Sequence, residues 1–337
     1  TADNRSYEFP WRCNCFRNVE LEDGNTVPGM LLQMAYATPF EVQFSNARAF
    51  LRCPNGLAAG TYNVTFGDTW GSKDAKANTT WQFTLTKAVP TGGRLAGFIQ
   101  MPDVAATSWK VTAYAADGIT KLETVPITSG AEGTSLGTMN FSSRNGDLNS
   151  MQETGYGWNR WKTSAYRQYL NSDKPKGQWW TPQDEWDVAP DQLATKDGFL
   201  RGMPKELLDQ IQPVKVITYT NTVNDGGNAD ATYDKVFLPA LGEMYYEPQI
   251  DGEGEPHDYW KERSGSATKL KQYTAYPNMI TYAVENHTSA QYVRLRSAFR
   301  GNANFAWNVY SDGSAGYYSA FSAYRSSPLV AICRKSA

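Results

Sequence analysis

Histidine is scarce in this chain of 337 residues, which contains only His257 and His287. Two histidines leave little material for His-based acid–base catalysis or for a His-ligated metal, so we expect each to be a surface or structural residue. The chain also has neither an HExxH zinc motif nor a P-loop. The sequence therefore predicts no catalysis, no metal and no obligate cofactor.

Cysteine is rare and unevenly placed. Three of the four cysteines, Cys13, Cys15 and Cys53, lie near the start of the chain, and Cys333 lies near its end. Cys13 and Cys15 are separated by one residue, which is too close for an easy mutual disulfide and is not a CxxC redox or zinc pattern. Cys53 could pair with either of them, but the spacing favours free, buried thiols.

The chain shows no excess of positive charge and no long apolar run. A formal net charge of −2 and an isoelectric point near 5.8 argue against a nucleic-acid-binding protein, which would present a basic face. No window approaches 18 consecutive apolar residues, so we expect no membrane-spanning helix, and no signal peptide is visible. The hydrophobic fraction of 41% and the charged fraction of 20% are typical of a globular protein, long enough for two or three domains.

The first part of the chain has the period-two alternation of β-strands, separated by Gly, Pro and Asn turns. The predicted strands are Phe40–Phe44, Gly60–Phe66, Trp81–Lys87, Arg94–Gln100 and Trp109–Ala115. The opening stretch, from Thr1 to about Gln33, is weaker and fits either an arm or a packing strand. A connector rich in Gly, Ser and Asn follows at Ser129–Asn149. We therefore predict an all-β, sandwich-like module over residues 1–140 and a second domain over residues 141–337.

The second domain has a mixed pattern. An amphipathic helix is predicted at Asn159–Asn171, another begins at Met203–Asp209, and Thr181 with Asp184 and Glu185 fits the start of a short helix. Short strands are predicted at Val214–Asn221, Lys235–Leu238, Arg294–Ser297, Ala306–Val309 and Leu329–Ile332. Between Gly242 and about Lys269 the chain reads as polar loop. Few helices with scattered short strands make an α+β domain.

One acidic run, Asp251–Asp258, has carboxylates at alternate positions. Carboxylate oxygens at that spacing could hold a hard cation such as calcium, but the run lacks the twelve-residue EF-hand pattern. A solvated loop is the favoured interpretation.

The C-terminal segment 299–324 is unusually aromatic. Eight of its residues are aromatic, and most of the others are Ser, Ala, Gly and Asn, with one Val and no Ile or Leu. Antibody paratopes use the same composition, because Tyr gives large contact area at low entropic cost while Ser, Gly and Asn adapt their hydrogen bonds. The segment fits a contact surface, and an aromatic sheet edge that packs on its own domain is the alternative.

Three ordered motifs from about Tyr156 onward resemble a C-type-lectin-fold domain found in gut bacteria and their phages. The motifs are Asn159–Asn171 (NRWKTSAYRQYLN), Tyr233–Glu243 (YDKVFLPALGE), and the closing set Leu295–Ser297, Ala306–Val309, Gly313, Arg325 and Pro328. The family usually has Leu-Ser where this chain has Pro239-Ala240, and Ser326-Ser327 separates the closing Arg from Pro. The resemblance implies an α+β C-type-lectin-like C-terminal domain preceded by the all-β module.

Many members of that family resemble the variable proteins of diversity-generating retroelements. In those systems a reverse transcriptase mutates template adenines, which changes the codons of a ligand-binding face. An AAC codon altered at its adenines cannot encode Lys, Glu, Gln, Met or Trp. At the composition of this chain about five such residues are expected between positions 299 and 324, whereas Trp307 is the only one there.

The resemblance implies a role for individual residues of the C-terminal domain. The expected ligand-binding residues are Phe299, Asn304, Phe305, Tyr310, Ser314, Tyr317, Tyr318, Phe321 and Tyr324. The expected scaffold residues are Trp161, Arg296, Trp307 and Asn308. Exposed aromatic side chains in this number are typical of binding hot spots.

The expected partners follow from the same resemblance. The aromatic surface would bind a host-surface protein or glycan, and the N-terminal module would anchor the chain to a virion tail or capsid or to a cell surface, with a homotrimer as one option for avidity. A purely structural component without a ligand is one alternative. The formylglycine-generating oxidases also resemble this fold, but they use paired reactive cysteines in that domain, where this chain has only Cys333.

Overall fold

The computed structural model describes residues 8–46, 49–53, 55–66, 80–96, 110–116, 120–130, 132–139, 151–153, 159–183, 189–222 and 225–333. The strands are β1 (Trp11–Glu20), β2 (Thr26–Met34), β3 (Val42–Gln43), β4 (Ala49–Cys53), β5 (Gly60–Phe66), β6 (Thr80–Leu85), β7 (Gly93–Ala96), β8 (Lys110–Tyr114), β9 (Lys121–Pro126), β10 (Thr128–Ser129), β11 (Thr134–Met139), β12 (Met151–Glu153), β13 (Val214–Tyr219), β14 (Ala229–Asp234), β15 (Val236–Phe237), β16 (Thr281–Tyr282), β17 (Ala290–Gln291), β18 (Val293–Ala298), β19 (Phe305–Val309), β20 (Ala315–Ser319), β21 (Ala323–Tyr324) and β22 (Leu329–Cys333). The α-helices are α1 (Ala165–Leu170), α2 (Lys205–Leu208) and α3 (Asp258–Ser264), and short 3₁₀ helices lie at Trp161–Thr163, Asp191–Ala194, Phe199–Gly202 and Pro277–Met279.

The chain divides into two compact units whose limits differ from the predicted ones. The first unit contains residues 1–46, 155–183 and 189–337, and the second contains residues 47–154 and 184–188. The second unit is therefore inserted into the first in sequence, whereas the prediction placed residues 1–140 together in one module.

The second unit is all-β. One sheet has the strand order β10-β6-β5-β11, with β11 parallel to β5, and the other has the order β12-β4-β7-β8-β9. In β6 the buried residues alternate as Trp81, Phe83 and Leu85. Residues of both sheets meet in a single apolar core that includes Val64, Phe83 and Val111. The alternating pattern places one face of each sheet in this core, in agreement with the predicted β-rich character of the region.

In the first unit the opening residues pair with the end of the chain. Strands β1 and β2 form an antiparallel hairpin. On its other edge β2 pairs antiparallel with β22, with Leu31 opposite Ala331. Strand β15 completes the sheet, in the order β1-β2-β22-β15. The stretch left open as an arm or a packing strand therefore contains two strands, and residues 1–7 of it lie outside the described residues.

A second sheet of the first unit carries the aromatic segment. Its strand order is β18-β19-β20, and all three strands are antiparallel. One face packs on a core containing Leu241, Trp260 and Leu295, and Ala306 of the other face belongs to a core with Trp161 and Tyr166. Because part of each face is covered, the strands are held in place, and side chains remain exposed at the strand ends and on β20, where Tyr317 and Tyr318 are not buried.

Most of the predicted elements of the second domain are confirmed, with limits that differ by one or more residues. The helix at Asn159–Asn171 consists of a 3₁₀ turn followed by α1, with Ser164 accepting a hydrogen bond from the Arg167 amide as N-cap. Strands β13, β15, β18, β19 and β22 coincide with the five predicted strands. The polar stretch after Gly242 contains helix α3, which was not predicted. In the described part of the chain, no helix is long and apolar enough to cross a membrane.

Some predictions fall partly or wholly outside the described residues. These are the helix start at Asp184 and Glu185, the end of the strand Arg94–Gln100, the start of the strand at Trp109, and residues 140–149 of the connector. The described part of the connector is not loop, because it contains β11. All four cysteines are free as predicted; Cys13, however, is exposed rather than buried.

Candidate functional site

The register of β19 and β20 sorts the aromatic side chains onto two faces. Phe305 lies opposite Ser319, Trp307 opposite Tyr317, and Ala306 opposite Tyr318. Successive side chains of a strand point to opposite faces, so Tyr317 and Tyr318 diverge. The segment therefore forms two aromatic clusters, one on each side of β20.

The first cluster surrounds Tyr317. The ring of Tyr317 lies 4.0 Å from that of Phe299 and 5.2 Å from that of Phe305, measured between centroids. The buried ring of Trp307 approaches Tyr317 edge-on at 5.8 Å. Tyr273, which the sequence did not single out, lies 5.8 Å from Trp307 and 6.1 Å from Tyr317. We call these five rings the Tyr317 cluster.

The second cluster surrounds Tyr324. The ring of Tyr318 lies 5.5 Å from Tyr324, and that of Tyr292 lies 6.0 Å from Tyr324 and 5.0 Å from Tyr310. Tyr292 also comes from outside the segment 299–324. We call these four rings the Tyr324 cluster. Aromatic pairs prefer such offset and edge-on arrangements to direct face-to-face stacking.

Tyr310 connects the two clusters across the edge of β20. Its hydroxyl donates a hydrogen bond to the carbonyl oxygen of Tyr317 at 2.8 Å. Its ring lies over Gly316, where an added Cβ would be 2.6 Å from the ring atoms. Glycine at position 316 is therefore required for Tyr310 to lie against the strand.

Two of the nine expected ligand-binding residues do not face outward. Asn304 is 2% exposed and Ser314 is 6% exposed, so the expectation that they face a partner is corrected for both. Ser314 is held in the turn between β19 and β20, where its amide and hydroxyl both donate to the carboxylate of Asp312. The other seven are at least partly exposed, and Phe321 lies in the turn after β20.

Exposure alone identifies the two residues that sequence reasoning missed. Across the described residues, four large hydrophobic side chains are strongly exposed: Phe16 at 74%, Tyr273 at 61%, Tyr318 at 49% and Tyr292 at 42%. Three of the four belong to the two clusters. A sequence signal for Tyr273 and Tyr292 is lacking, because they lie 26 and 7 residues before the aromatic segment begins.

The buried side chain of Arg294 holds the backbone of the aromatic segment. Its guanidinium is fully buried and donates to the carbonyl oxygens of Ala306, Tyr318, Ser319 and Ser322, at distances from 2.8 to 3.2 Å. Burial lowers the pKa of Arg294 to about 10, with neighbouring tyrosines opposing that shift. The side chain thus fixes β19, β20 and the following turn through their backbones.

Asn159 fixes the loop between β18 and β19. Its side-chain amide donates to the carbonyl oxygens of Phe299 at 3.2 Å, Asn302 at 2.6 Å and Phe305 at 2.8 Å. Its side-chain oxygen accepts a hydrogen bond from Asn221 at 3.0 Å. These contacts involve only backbone atoms of the loop, so the loop side chains can differ without loss of the contacts.

The first two sequence motifs are joined through Asp234. Its carboxylate accepts hydrogen bonds from the Trp161 indole at 2.9 Å, from Arg167 at 2.6 Å and from Thr232 at 2.7 Å. The Asp234 side chain is fully buried, and the Arg167 pair is charge-assisted. Trp161, Arg296, Trp307 and Asn308, the four expected scaffold residues, are all buried.

The second and third motifs are joined through a buried ion pair. Arg296 contacts Glu243 in a bidentate arrangement, with N–O distances of 2.6 and 2.8 Å. Arg296 also donates to the carbonyl oxygens of Leu238 at 2.7 Å and Glu253 at 3.2 Å. Burial by itself raises the pKa of Glu243, but the charge and hydrogen bonds of Arg296 outweigh it and bring that pKa to about 2.

A second buried carboxyl lies beside this pair. Glu253 accepts hydrogen bonds from the Ser297 hydroxyl at 2.5 Å and from the Tyr219 amide at 3.2 Å. Burial raises the pKa of Glu253 to about 7, although Arg296 acts in the opposite direction. The favoured view of the acidic run as a solvated loop is therefore wrong for Glu253, whose carboxyl is part of the interior.

His257 ends the same run and is also interior. Its Nδ1 accepts a hydrogen bond from the Asn14 amide nitrogen at 3.0 Å, because that NH2 group can only donate; the same nitrogen also donates to Gln33 at 2.6 Å. The proton is then on Nε2, which is 4.0 Å from a Glu243 oxygen. Burial lowers the pKa of His257 to about 4, so the ring is neutral at pH 7 and structural. His287 is exposed and stacks on Tyr36 at 4.0 Å.

A metal centre and a nucleophile motif are two further kinds of chemical site. Among the described residues, no group of three or more His, Cys, Asp or Glu side chains is placed to hold a metal ion. The string Gly133–Gly137 matches the G-x-S-x-G pattern of serine hydrolases, but Ser135 lies within strand β11, where its hydroxyl accepts from the Gly137 amide. A nucleophile elbow needs a strand-to-helix turn, so this string lacks the required context.

The comparisons with known proteins identify a family. A family model described as "Domain of unknown function (DUF6273)" matches residues 136–330, which is more than half of the chain. The chain therefore belongs to the DUF6273 family, and the matched range includes the whole aromatic segment and the three sequence motifs. No curated protein and no solved structure matches the chain.

Proposed function

We propose that this member of the DUF6273 family is a ligand-binding protein that displays a diversified aromatic surface from a C-type-lectin-like domain. The two aromatic clusters would contact a ligand on the surface of a host cell. The inserted β unit would anchor the chain to a virion or to a cell surface. The proposal includes neither catalysis nor a cofactor.

The observation that carries the proposal is the combination of an exposed aromatic edge with a fixed backbone. A monomeric protein rarely exposes several large aromatic rings side by side unless they contact a partner. Here the clusters lie along β20, while Arg294 and Asn159 hold the surrounding backbone through main-chain oxygens. Side chains can therefore change at the edge while stability resides in the buried contacts beneath it.

The proposed C-type-lectin-like fold is supported by how the motifs meet. Asp234 of the second motif joins Trp161 and Arg167 of the first, and Glu243 of the second joins Arg296 of the third. Three motifs far apart in sequence thus form one polar framework. The pairing of β2 with β22 closes the unit around this framework.

Binding is tested with two panels of defined probes, an array of purified bacterial surface proteins and a glycan array. We expect the purified chain to bind members of at least one panel, and the variant Tyr317→Ala/Tyr318→Ala/Phe321→Ala to lose that binding by at least about a hundredfold, as for hot-spot residues. The matched control is Phe16→Ala, which removes an exposed ring far from the segment in sequence and should bind normally. Absence of binding to both panels, or unchanged binding by the triple variant, would reject the proposed function.

Diversification is tested separately on the DNA that flanks the gene. We expect a near-copy of the codons for residues 290–337 that differs at template adenines, next to a reverse-transcriptase gene. The altered codons should encode the exposed cluster members within residues 299–324 and spare Arg294 and Arg296, whose side chains hold the backbone. A flanking region without such a repeat would leave a binding surface of fixed sequence.

A further inference from the structure

Tyr273 has an unusual backbone conformation for an exposed aromatic residue. Its φ is +58°, in the left-handed region that Gly and Asn occupy more easily. Its amide donates to the carbonyl oxygen of Ala315 at 2.9 Å, which attaches it to β20. The ring is 61% exposed, so the conformation is not compensated by burial of the side chain.

The other two non-glycine residues with positive φ in the described chain have evident structural reasons. Tyr245 is buried, and its hydroxyl donates to the carbonyl oxygen of Ser266. His287 stacks on Tyr36 at 4.0 Å with parallel rings. Tyr273 and His287 both combine a positive φ with an exposed side chain, but of the two only Tyr273 lies against the aromatic rings of β19 and β20. Strained conformations of this kind are energetically costly and cluster at functional sites.

Tyr292 occupies the corresponding place beside the other cluster. It lies between β17 and β18, and its ring is 5.0 Å from Tyr310. The two tyrosines therefore extend the two clusters from positions fixed by the scaffold rather than by the segment 299–324.

The charged groups around these rings are already engaged within the protein. The segment contains one cation, Arg300, and one anion, Asp312. Arg300 donates to the carbonyl oxygens of Thr220 and Gly227, both at 3.1 Å, and Asp312 accepts from Ser314. Two ion pairs lie at the flanks, Lys271 with Glu247 and Arg325 with Glu285, and the opposite charges within each pair neutralise one another.

A surface of this kind is complementary to a partner with little charge of its own. The phenol rings offer apolar faces and single hydroxyls, and the one cation and one anion of the segment, Arg300 and Asp312, leave it without net charge. Paratopes of Tyr, Ser and Gly meet protein surfaces in this way. A sugar ring, in contrast, is usually bound by a flat aromatic face with several polar side chains around it.

We propose that Tyr273, in the Tyr317 cluster, and Tyr292, in the Tyr324 cluster, are contact residues that stay constant while the segment 299–324 varies. Together with that segment they bind a weakly charged patch of a partner protein. This inference rests on the proposed function and deepens it. It assigns binding to two residues outside the segment and gives the partner its chemical class.

The experiment uses the full chain and the two panels described above. Tyr273→Asn keeps a residue that tolerates positive φ while removing the ring, and Tyr292→Ser removes the other ring. For a protein from the surface-protein array that binds the wild type, we expect each variant to raise Kd at least about tenfold, in the range of interface hot spots. Phe16→Ser is the control and should leave Kd unchanged. Raising NaCl from about 0.05 to 0.5 M should change Kd by less than about threefold, since no long-range charge attraction is involved.

Each result supports or overturns the inference. Variants that bind like the wild type, while the triple variant at positions 317, 318 and 321 does not, would overturn it and leave the proposed function standing. Binding confined to the glycan array, or a steep dependence on salt, would overturn the assigned partner class. A fall in melting temperature greater than that of Phe16→Ser would make the tyrosines structural. Absence of binding to both panels would reject the proposed function itself, and the inference with it.

Discussion

Replacing Glu243 with alanine is expected to lower the free energy of unfolding of the first unit by about 3–5 kcal/mol, the range measured when one member of a buried ion pair is removed. The variant leaves the Arg296 guanidinium fully buried without its bidentate partner. It also leaves the Ala240 amide without the acceptor that now lies 2.9 Å away. Urea denaturation of the full chain measures the change, with hydrogen exchange of the β18 amides identifying the transition of this unit.

The control variant tests whether the loss of stability requires a buried ion pair or follows from the loss of any ion pair. Lys205 and Asp209 form an ion pair of the same length, 2.6 Å, but both side chains are largely exposed. Asp209→Ala should therefore change stability little. The double variant Glu243→Met/Arg296→Met should recover much of the loss, because paired apolar residues of similar volume can replace a buried ion pair. A Glu243→Ala protein as stable as the wild type would show that the pair does not hold the two motifs together.

Replacing Glu253 with glutamine is expected to change how stability depends on pH. The pKa of Glu253 is raised to about 7 by burial, above its ordinary value of 4.5. Its contribution is therefore fully present below pH 4.5 and is lost as the pH rises through 7, because the unfolded carboxyl ionises first. Glutamine does not ionise, so the free energy of unfolding of the variant should rise relative to that of the wild type as the pH increases from 5 to 8. A gain on the order of 2 kcal/mol corresponds to a shift of this size.

His257 acts in the opposite sense within the same window. Its pKa is lowered by burial to about 4, so its contribution is present above pH 6.5 and is lost as the pH falls through 4. Because His257 is retained in the variant, the difference between variant and wild type isolates Glu253. Glu255→Gln changes an exposed carboxyl in the same run and is the matched control for the urea titrations. A difference between Glu253→Gln and wild type that stays constant from pH 5 to pH 8 would contradict the interior role of this carboxyl.

The opening hairpin illustrates why some of the fold could not be predicted from the sequence. Strands β1 and β2 include buried Asn14 and Gln33, which interrupt the apolar alternation expected of a strand. These side chains hydrogen-bond to each other, to His257 and to Trp260, and the last two are more than 200 residues away. A local pattern cannot reveal a partner supplied by a distant part of the chain. The strand signal of the opening residues is therefore weak, and the prediction placed them in one module with the residues of the second unit.

The same reason explains the errors within the site. Asn304 and Ser314 are small polar residues in an aromatic segment, and composition alone places them with their neighbours on the surface. The backbone instead turns them inward, and Ser314 is held by Asp312. Conversely, Tyr273 and Tyr292 lie in ordinary loop sequence and reach the clusters only because the chain folds back to β20 and β18.

The sequence by itself determined the β-rich character of the chain, the short strands around the aromatic segment and the composition of that segment. Those properties follow from the local alternation of apolar and polar residues and from the side chains present. Only the tertiary structure decided which rings gather into clusters, that Glu253 and His257 are interior, and that residues 1–46 belong with the C-terminal unit. Burial, ion pairing and cross-strand register depend on residues far apart in sequence, and these become neighbours only when the chain has folded.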